Sequence, residues 1–237
     1  MELKRNGIEF KVYGRYALFS DPITRPGGEK FSYQVPTYQA LKGITESVYF
    51  KPTFTWYIDA VRVIKRIQTE SKGIRPIKMN GGNELAYYTY LRDVEYHVAA
   101  HFEWNLHRPE LVHDRDENKH HNIAKRAVKQ GGRRDIFLGT RECQAYVEPC
   151  CFDEGKGYYH DYGCIDFGIM FHGFDYPDET GKKEFGVRLW RQSMENGVIL
   201  FDPPQNIPVE RRQVLRDYGD TYEFKRFEEG VNFSELV

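Results

Sequence analysis

A lysine and two histidines stand side by side in the middle of the chain, at Lys119, His120 and His121. At the start of a helix, free backbone amides bind phosphate, and an imidazole beside them can give or take a proton near neutral pH. The helix dipole disfavours cations at this end, so an anionic partner would relieve the mismatch. This position therefore predicts phosphate binding with proton transfer. The alternative is a solvated helix start whose side chains only face water.

A tyrosine near the end of an earlier helix is the second chemical candidate. Tyr49 has a hydroxyl that can orient a substrate or transfer a proton, although an ordinary pKa of about 10 makes it a poor base at neutral pH. By helical periodicity it shares one face with Tyr38, Lys42 and Thr45. We do not expect this stripe of hydroxyls and one cation to be core. The alternative is a tyrosine at the core edge with its hydroxyl in water.

The remaining histidines and the cysteines do not predict a metal site. The four cysteines form no CxxC pair and no usual zinc spacing with His160, so buried reduced thiols are favoured; they are Cys143, Cys150, Cys151 and Cys164. His97 and His101 share a strand face about 13 Å apart, too far to hold one metal unaided, and are expected to be solvated. We therefore expect neither a metal nor a cofactor.

Charge is balanced overall and uneven along the chain. The 237 residues include 34 Lys and Arg against 35 Asp and Glu, for a formal net charge of −1, so any polyanion site must be a local patch. Residues 119–134 carry no acidic residue and six cations, namely Lys119, Lys125, Arg126, Lys129, Arg133 and Arg134. The segment 27–30 lacks the spacing of a nucleotide-binding P-loop, but Lys30 and nearby Arg25 could still touch a phosphate.

An alternation of strands and helices positions these residues. Hydrophobic periodicity predicts strands at 8–13, 54–67, 94–104, 136–138 and 143–147, a helix after Pro36 limited by Pro52, and a helix over 118–130. Asn118 is the expected N-cap of the second helix, and Gly131-Gly132 its stop. The order strand, helix, strand, strand, helix, strand predicts an α+β fold of ferredoxin-like type.

Shorter alternating segments follow residue 150 and suggest a small antiparallel sheet. We therefore expect two domains, at 1–152 and 153–237. There is no run of about twenty apolar residues and no apolar segment behind Met1 resembling a signal peptide, so we expect a globular cytoplasmic protein with no membrane association.

Several long runs resemble one known family. They are YALFSDP at 16–22, GGEK at 27–30, VPTYQALKGI at 35–44 and GGRRDIFLGTREC at 131–143, with a weaker match, HGFDYPDETG, at 172–181. These runs are similar to the CRISPR-associated family-five protein of subtype I-C, also called the Dvulg subtype. The resemblance implies a ferredoxin-like domain of the RAMP superfamily followed by a small antiparallel sheet.

The same resemblance implies a metal-independent endoribonuclease. It would cut CRISPR precursor RNA at the base of the repeat hairpin and stay on the 5′ handle of the guide RNA, with the backbone and large subunits of the type I-C surveillance complex as partners. Tyr49, Lys119 and His120 match the family's catalytic residues. We expect the RNA to contact Arg25, Lys30, Lys42, His121, Lys125, Arg126, Lys129, Arg133 and Arg134.

The expected chemistry uses the RNA's own 2′-hydroxyl as the nucleophile and leaves a 2′,3′-cyclic phosphate and a 5′-hydroxyl. His120 would act as acid or base, Lys119 would stabilise the phosphorane, and Tyr49 would orient the groups or transfer a second proton. Two alternatives stay open. One is a non-catalytic subunit that caps the guide RNA handle; the other is a metal-dependent DNase side activity with double-stranded DNA as a further partner.

Overall fold

The computed structural model describes residues 4–22, 24 and 28–219. In that part of the chain the strands are β1 (Ile8–Ala17), β2 (Phe54–Val63), β3 (Thr69–Ile74), β4 (Ala86–Trp104), β5 (Ile136–Phe137), β6 (Gln144–Pro149), β7 (Cys164–Asp175), β8 (Glu184–Glu195), β9 (Val198–Leu200) and β10 (Arg212–Asp217). The α-helices are α1 (Tyr38–Val48), α2 (Glu117–Lys129) and α3 (Pro177–Thr180). Short 3₁₀ turns lie at Pro109–Asp114, Pro204–Asn206 and Val209–Arg211.

One large antiparallel sheet dominates the structure. Its strand order is β10-β8-β9-β2-β4-β1-β6-β5, with β3 paired to β4 and β7 paired to β8. The pairings between these strands are antiparallel. With few helices against this sheet, the α+β class expected from the sequence is confirmed.

Residues 96–102 of β4 are buried on both faces, whereas the sequence predicts one polar face. His97 is 5% and His101 is 4% exposed, so the expectation that they are solvated is wrong. The chain after β6 covers this face: Arg62 donates to the carbonyls of Phe152, Glu154 and Gly155. The Nδ1 of His97 donates to the Phe152 carbonyl at 3.2 Å. The alternation of apolar and polar residues along a strand cannot reveal this cover, because the covering residues come from a loop that is distant in the sequence.

The polar stripe of α1 is also buried, contrary to expectation. Tyr38, Thr45 and Tyr49 are each 0% exposed, and Lys42 is 3% exposed. The ammonium group of Lys42 lies 2.5 Å from a carboxylate oxygen of Glu179 in α3 and 3.8 Å from Glu46. The Thr45 hydroxyl donates to the Leu41 carbonyl within the helix. Lys42 and Thr45 can be buried because each has a polar partner.

Helix α2 starts and stops close to the predicted positions. Its N-cap is Asp116 rather than Asn118, and the Asp116 carboxylate accepts from the Lys119 amide at 3.0 Å. The predicted stop at Gly131 and Gly132 is confirmed: their φ angles are 81° and 101°, in the left-handed region that favours glycine. The Gly132 amide then closes the helix end by donating to the Ala127 carbonyl at 2.8 Å.

The strands after residue 152 continue the first sheet instead of standing apart. Strand β9 pairs with β2 through Ala60 and Leu200, and the same hydrophobic core includes Trp190, Met194 and Phe201. The boundary at 152 stays a prediction. Among the described residues, no helix has the length and apolar character needed to cross a membrane.

Candidate active site

The side chains of Tyr49 and His120 meet in the interior although they are 71 residues apart in the chain. The Tyr49 hydroxyl lies 2.8 Å from Nδ1 of His120. Tyr49 is the C-cap residue of α1, and its carbonyl accepts from the indole of Trp56 at 2.7 Å, which fixes its backbone against β2. His120 stands in the first turn of α2. The ends of two helices therefore bring together two of the three predicted catalytic residues.

The second ring nitrogen of His120 defines the tautomer. Nε2 lies 2.7 Å from the backbone carbonyl of Asp114. A carbonyl can only accept, so Nε2 carries the proton, and in the neutral ring Nδ1 accepts from the Tyr49 hydroxyl. Burial and the nearby Asp114 charge raise the pKa of Tyr49, which keeps this hydroxyl protonated at neutral pH. The His120 ring is therefore held between the Tyr49 hydroxyl and the Asp114 carbonyl by two hydrogen bonds.

Aromatic rings surround this pair and exclude water. Tyr49 and His120 are both 0% exposed. The imidazole ring centre lies 5.2 to 6.4 Å from the ring centres of Tyr49, Phe54, Phe102 and Trp104. In surroundings from which water is excluded, hydrogen bonds are strong, and a buried ring nitrogen without a hydrogen-bond partner destabilises the fold. A phosphate can reach His120 only if part of this enclosure moves.

Asp114, which was not predicted as a site residue, contacts three other polar residues of the site. Its carboxylate accepts from the Lys119 ammonium at 2.5 Å and from the Thr53 hydroxyl at 2.9 Å, while its carbonyl holds His120. Burial would raise the pKa of this carboxyl, but the hydrogen bonds from Lys119 and Thr53 outweigh it and lower the pKa below its usual value. An acid just before a helix start was the available signal, because the helix dipole favours anions there.

Lys119 is the exposed member of the predicted catalytic set. Its side chain is 49% exposed, and the Asp114 carboxylate supplies the anion that the sequence analysis expected for this helix start. Only the lysine end of this ion pair is open to solvent, since the Asp114 side chain is 19% exposed, so a ligand phosphate would approach the pair from the Lys119 side. Lys119 therefore lies where an incoming phosphate would first meet the site.

The turn that carries Asp114 is braced by neighbouring backbone and by the chain near α3. The Arg115 guanidinium donates to the carbonyls of Asn105 and Arg108 at 2.9 and 3.2 Å. The Asn105 amide in turn donates to the carbonyl of Asp178 at 3.0 Å. The position of the site thus depends on residues that follow position 152.

The Arg133-Arg134 loop is fixed to the end of α1 through its backbone. The amides of Arg133 and Arg134 donate to the carbonyls of Val48 and Ser47, each at 3.2 Å. These carbonyls belong to the last turn of a helix, where unpaired acceptors favour cations. The guanidinium of Arg133 lies 5.6 Å from the ring centre of Tyr49, a cation–π contact. The arginine loop therefore lies directly beside the Tyr49–His120 pair.

An exposed basic surface continues from Lys119 along α2. Lys125, Arg126 and Lys129 are exposed and line, with Lys119, a groove of about 540 Å³. Within the described part of the chain, no carboxylate forms an ion pair with these three residues or with Arg133 and Arg134. A row of unpaired cations is suited to a polyanion backbone.

The other predicted RNA-binding residues do not all join this surface. His121 is half-buried, and its Nε2 donates to the Gly7 carbonyl at 2.9 Å. Lys42 is buried and ion-paired, so it has no free charge for RNA, and we withdraw it from the predicted contacts. The Lys30 ammonium lies over the ring of Tyr88 near the start of β4. Measured along this strand, Tyr88 is on the order of 40 Å from the end of β4 that lies near His120. Arg25 lies outside the described residues.

The potential metal-ligating side chains are dispersed over the described residues. Over residues 4–22, 24 and 28–219, no group of three or more His, Cys, Asp or Glu side chains is arranged to hold a metal ion. Cys143 is buried, Cys150 is half-buried, and Cys151 and Cys164 are exposed.

The chain is therefore an α+β protein with a large antiparallel sheet, in which a basic helix lies beside a buried Tyr–His pair and an adjacent lysine. The family model described as CRISPR-associated protein (Cas_Cas5) matches residues 7–202. The chain therefore belongs to this CRISPR-associated family, and the resemblance noted in the sequence is confirmed.

Two relatives are named CRISPR pre-crRNA endoribonuclease Cas5d. The one from Thermus thermophilus is 27% identical over 188 residues, covering 75% of this chain and 77% of its own length. The one from Mannheimia succiniciproducens is 26% identical over 229 residues, covering 84% of this chain and 96% of its own.

Solved structures agree with the fold. A crystal structure of a CRISPR-associated protein is 38% identical, with a TM-score of 0.73, and covers 87% of this chain and 96% of that one. A functionally uncharacterized protein from Streptococcus mutans is 40% identical, with a TM-score of 0.74, and covers 90% of this chain and 100% of its own.

Proposed function

We propose that this chain is an endoribonuclease that cuts CRISPR precursor RNA at the base of the repeat hairpin. The observation that carries the proposal is the contact between Tyr49 and His120 beside Lys119, at the end of a row of unpaired cations. The relatives named as pre-crRNA endoribonucleases support the same substrate class. The reaction proposed needs no metal, because the RNA supplies its own nucleophile in the 2′-hydroxyl.

In the proposed reaction the 2′-oxygen loses its proton and bonds to phosphorus, while the bond from phosphorus to the 5′-oxygen breaks and that oxygen takes a proton. His120, which is hydrogen-bonded to Tyr49, serves one of these proton transfers, and Tyr49 or a solvent water serves the other. Lys119 stabilises the negative charge of the phosphorane. Tyr49 holds the imidazole in the tautomer described above.

Entry of the RNA requires the enclosure around His120 to open. The scissile phosphate replaces the Asp114 carboxylate on Lys119, and the turn that carries Asp114 then releases Nε2 of His120. This order follows from exposure: Lys119 is accessible, whereas His120 is sealed behind it. Closed sites that assemble on substrate binding are common among enzymes.

We propose a ferredoxin-like core for the segment from β1 to β6. The two helices alternate with strands in the order that this fold requires, and β1 lies between β4 and β6 with β2 on the far side of β4. We also propose that 153–237 is a second unit, whose strands β7 to β10 extend this same antiparallel sheet. We further propose that the cut guide RNA stays bound by its 5′ handle and that the chain then joins the backbone and large subunits of the type I-C surveillance complex.

A second candidate function is RNA binding without cleavage, as a subunit that caps the guide handle. Burial of both Tyr49 and His120 favours it, because sealed groups cannot act on a bound phosphate. The two functions differ in one result: the second predicts tight binding of repeat RNA and no product.

The test uses the purified full chain and its cognate repeat RNA in excess EDTA. The proposal expects one cut at the hairpin base, with a 2′,3′-cyclic phosphate upstream and a 5′-hydroxyl downstream. A single deoxynucleotide upstream of the scissile phosphate should abolish cutting and preserve binding. Cleavage that needs added magnesium, or a 5′-phosphate on the guide, would reject the mechanism and indicate hydrolysis by a metal-activated water instead. Binding without product would favour the handle-capping subunit.

A further inference from the structure

The face of the sheet opposite α1 and α2 is covered at β2 and β4 but open at β1 and β6. The loop that begins at Phe152 covers His97 and Ala99 on the β4 side. Beyond that cover, Tyr146 of β6 is 56% exposed and Tyr13 of the adjoining β1 is partly exposed. The open corner therefore presents two aromatic rings on neighbouring strands.

The two tyrosines form a pair with a fixed orientation. Their ring centres are 5.7 Å apart, and the ring planes are inclined by 35°. Tyr13 is directly opposite Tyr146 in the antiparallel register of β1 and β6. The Tyr13 hydroxyl donates to Glu148 at 2.5 Å, and Lys11 neutralises that carboxylate at 2.9 Å. A ring held in this way loses little freedom when a ligand stacks on it.

The same corner is continuous with the arginine loop. One groove of about 430 Å³ is lined by Tyr13, Tyr146 and the loop residues Gly131–Ile136. Arg133, which lines this groove, also contacts the Tyr49 ring of the candidate active site. A nucleic-acid strand held by its phosphates on Arg133 and Arg134 would have its bases within reach of the tyrosine pair.

We propose that Tyr13 and Tyr146 form a stacking platform for one unpaired base of the RNA, next to the hairpin that is cut. This inference rests on the proposed function, because it assumes an RNA substrate. Proteins that bind single strands combine a basic groove with aromatic rings, and both features line this one cavity. The platform uses β1 and β6, so it needs none of the aromatic sequence runs by which RRM domains stack bases.

The platform is tested by binding of the repeat RNA to Tyr146→Ala, Tyr146→Phe and the control Tyr158→Ala. Tyr158 is also 56% exposed but lies outside this groove. Loss of one stacked base should weaken binding about 5- to 150-fold for Tyr146→Ala. Its dependence on salt concentration should stay unchanged, because no phosphate contact is removed. Tyr146→Phe and Tyr158→Ala should bind within about twofold of the wild type.

A fluorescent base locates the contact directly. RNAs with 2-aminopurine at single unpaired positions beside the hairpin should include one whose fluorescence is quenched by the wild type and not by Tyr146→Ala. The platform would be overturned if Tyr146→Ala bound RNA with wild-type affinity, or if no position were quenched. A lower salt dependence for Tyr146→Ala, as expected for loss of a phosphate contact, would also overturn it. If Tyr146→Ala keeps its RNA affinity but loses binding to the complex's backbone subunit, the face is a protein interface and the platform is rejected.

Cleavage separates this inference from the proposed function. Wild-type protein that cuts the repeat while Tyr146→Ala binds it equally well rejects only the platform. Wild-type protein that binds and quenches the fluorescent base but makes no product rejects only the nuclease. Failure of the wild type to bind repeat RNA rejects both.

Discussion

Replacing Tyr49 with phenylalanine removes one hydroxyl from the candidate active site and leaves the ring in place. The lost group is the donor to Nδ1 of His120 at 2.8 Å, in a site with 0% exposure. A buried acceptor left without its partner costs about 1–3 kcal/mol. For a chain of this size that corresponds to a fall in Tm of about 2–12 °C. Tyr49→Phe should therefore fold normally and unfold at a lower temperature.

The larger effect should be on cleavage. Loss of the group that orients an acid–base residue should slow single-turnover cleavage about a hundredfold at saturating RNA. His120→Gln should cost at least as much, because its amide can still donate to the Asp114 carbonyl but cannot transfer a proton. If the two residues act as one unit, the double variant should be no slower than His120→Gln alone. Tyr159→Phe is the matched control, since its buried hydroxyl accepts from the Ile67 amide at 3.0 Å.

The control variant should lose stability by a similar amount and cut at the wild-type rate. Thermal unfolding and single-turnover cleavage, measured on the same preparations, separate the two effects. A wild-type cleavage rate for Tyr49→Phe would refute the assignment of this tyrosine. A double variant whose loss equals the product of the two single losses would show that Tyr49 and His120 act independently.

Three more predictions concern charge. Replacing Arg133 and Arg134 with alanine should weaken RNA binding and reduce the slope of log affinity against log salt by about 1.4–1.8; an unchanged slope in a gel-shift titration would remove both from the RNA contacts. Lys119→Ala should reduce the same slope by about 0.7–0.9, because Lys119 exchanges its Asp114 partner for a phosphate when RNA binds, and a slope equal to the wild type would mean that Lys119 does not meet a phosphate. Burial lowers the pKa of His172 from its ordinary value of 6.5 to about 3. The neutral imidazole therefore stabilises the fold fully above pH 6.5, and this stabilisation is lost as the pH falls from 6.5 toward 3. Urea unfolding at pH 7 and pH 5 should show a loss on the order of 2 kcal/mol that His172→Gln reduces, whereas equal pH dependence in both proteins would contradict the assignment.

Local sequence signals predicted the helices and the strands around them. The Gly131-Gly132 stop of α2 and the proline limits of α1 depend on backbone chemistry within a few residues, which is why they could be read directly. The alternating pattern of β4 also predicted a strand. What it could not predict was the cover over its second face, because Arg62 and Phe152 meet only after the chain has folded.

The candidate site was predictable in its residue types and not in its environment. Lys119 and His120 were chosen for their position at a helix start, and Tyr49 for its resemblance to a family residue. Their enclosure depends on Asp114 and on aromatic rings from β2 and β4, which no spacing in the sequence connects to them. For Lys42 the residue type was misleading. A lysine suggested a free cation, but Glu179 of α3 neutralises its charge.

The pairing of β1 affects how the chain can fold as it is synthesised. This first strand ends at Ala17, and it pairs on one side with β4 and on the other with β6, which ends at Pro149. A ribosome adds about 5–20 residues per second, so the second edge of β1 stays unpaired for on the order of ten seconds. During that interval a strand with one apolar face and an open edge can pair with another nascent chain. Production of this protein should therefore depend on chaperones and on expression rate more than its final stability would suggest.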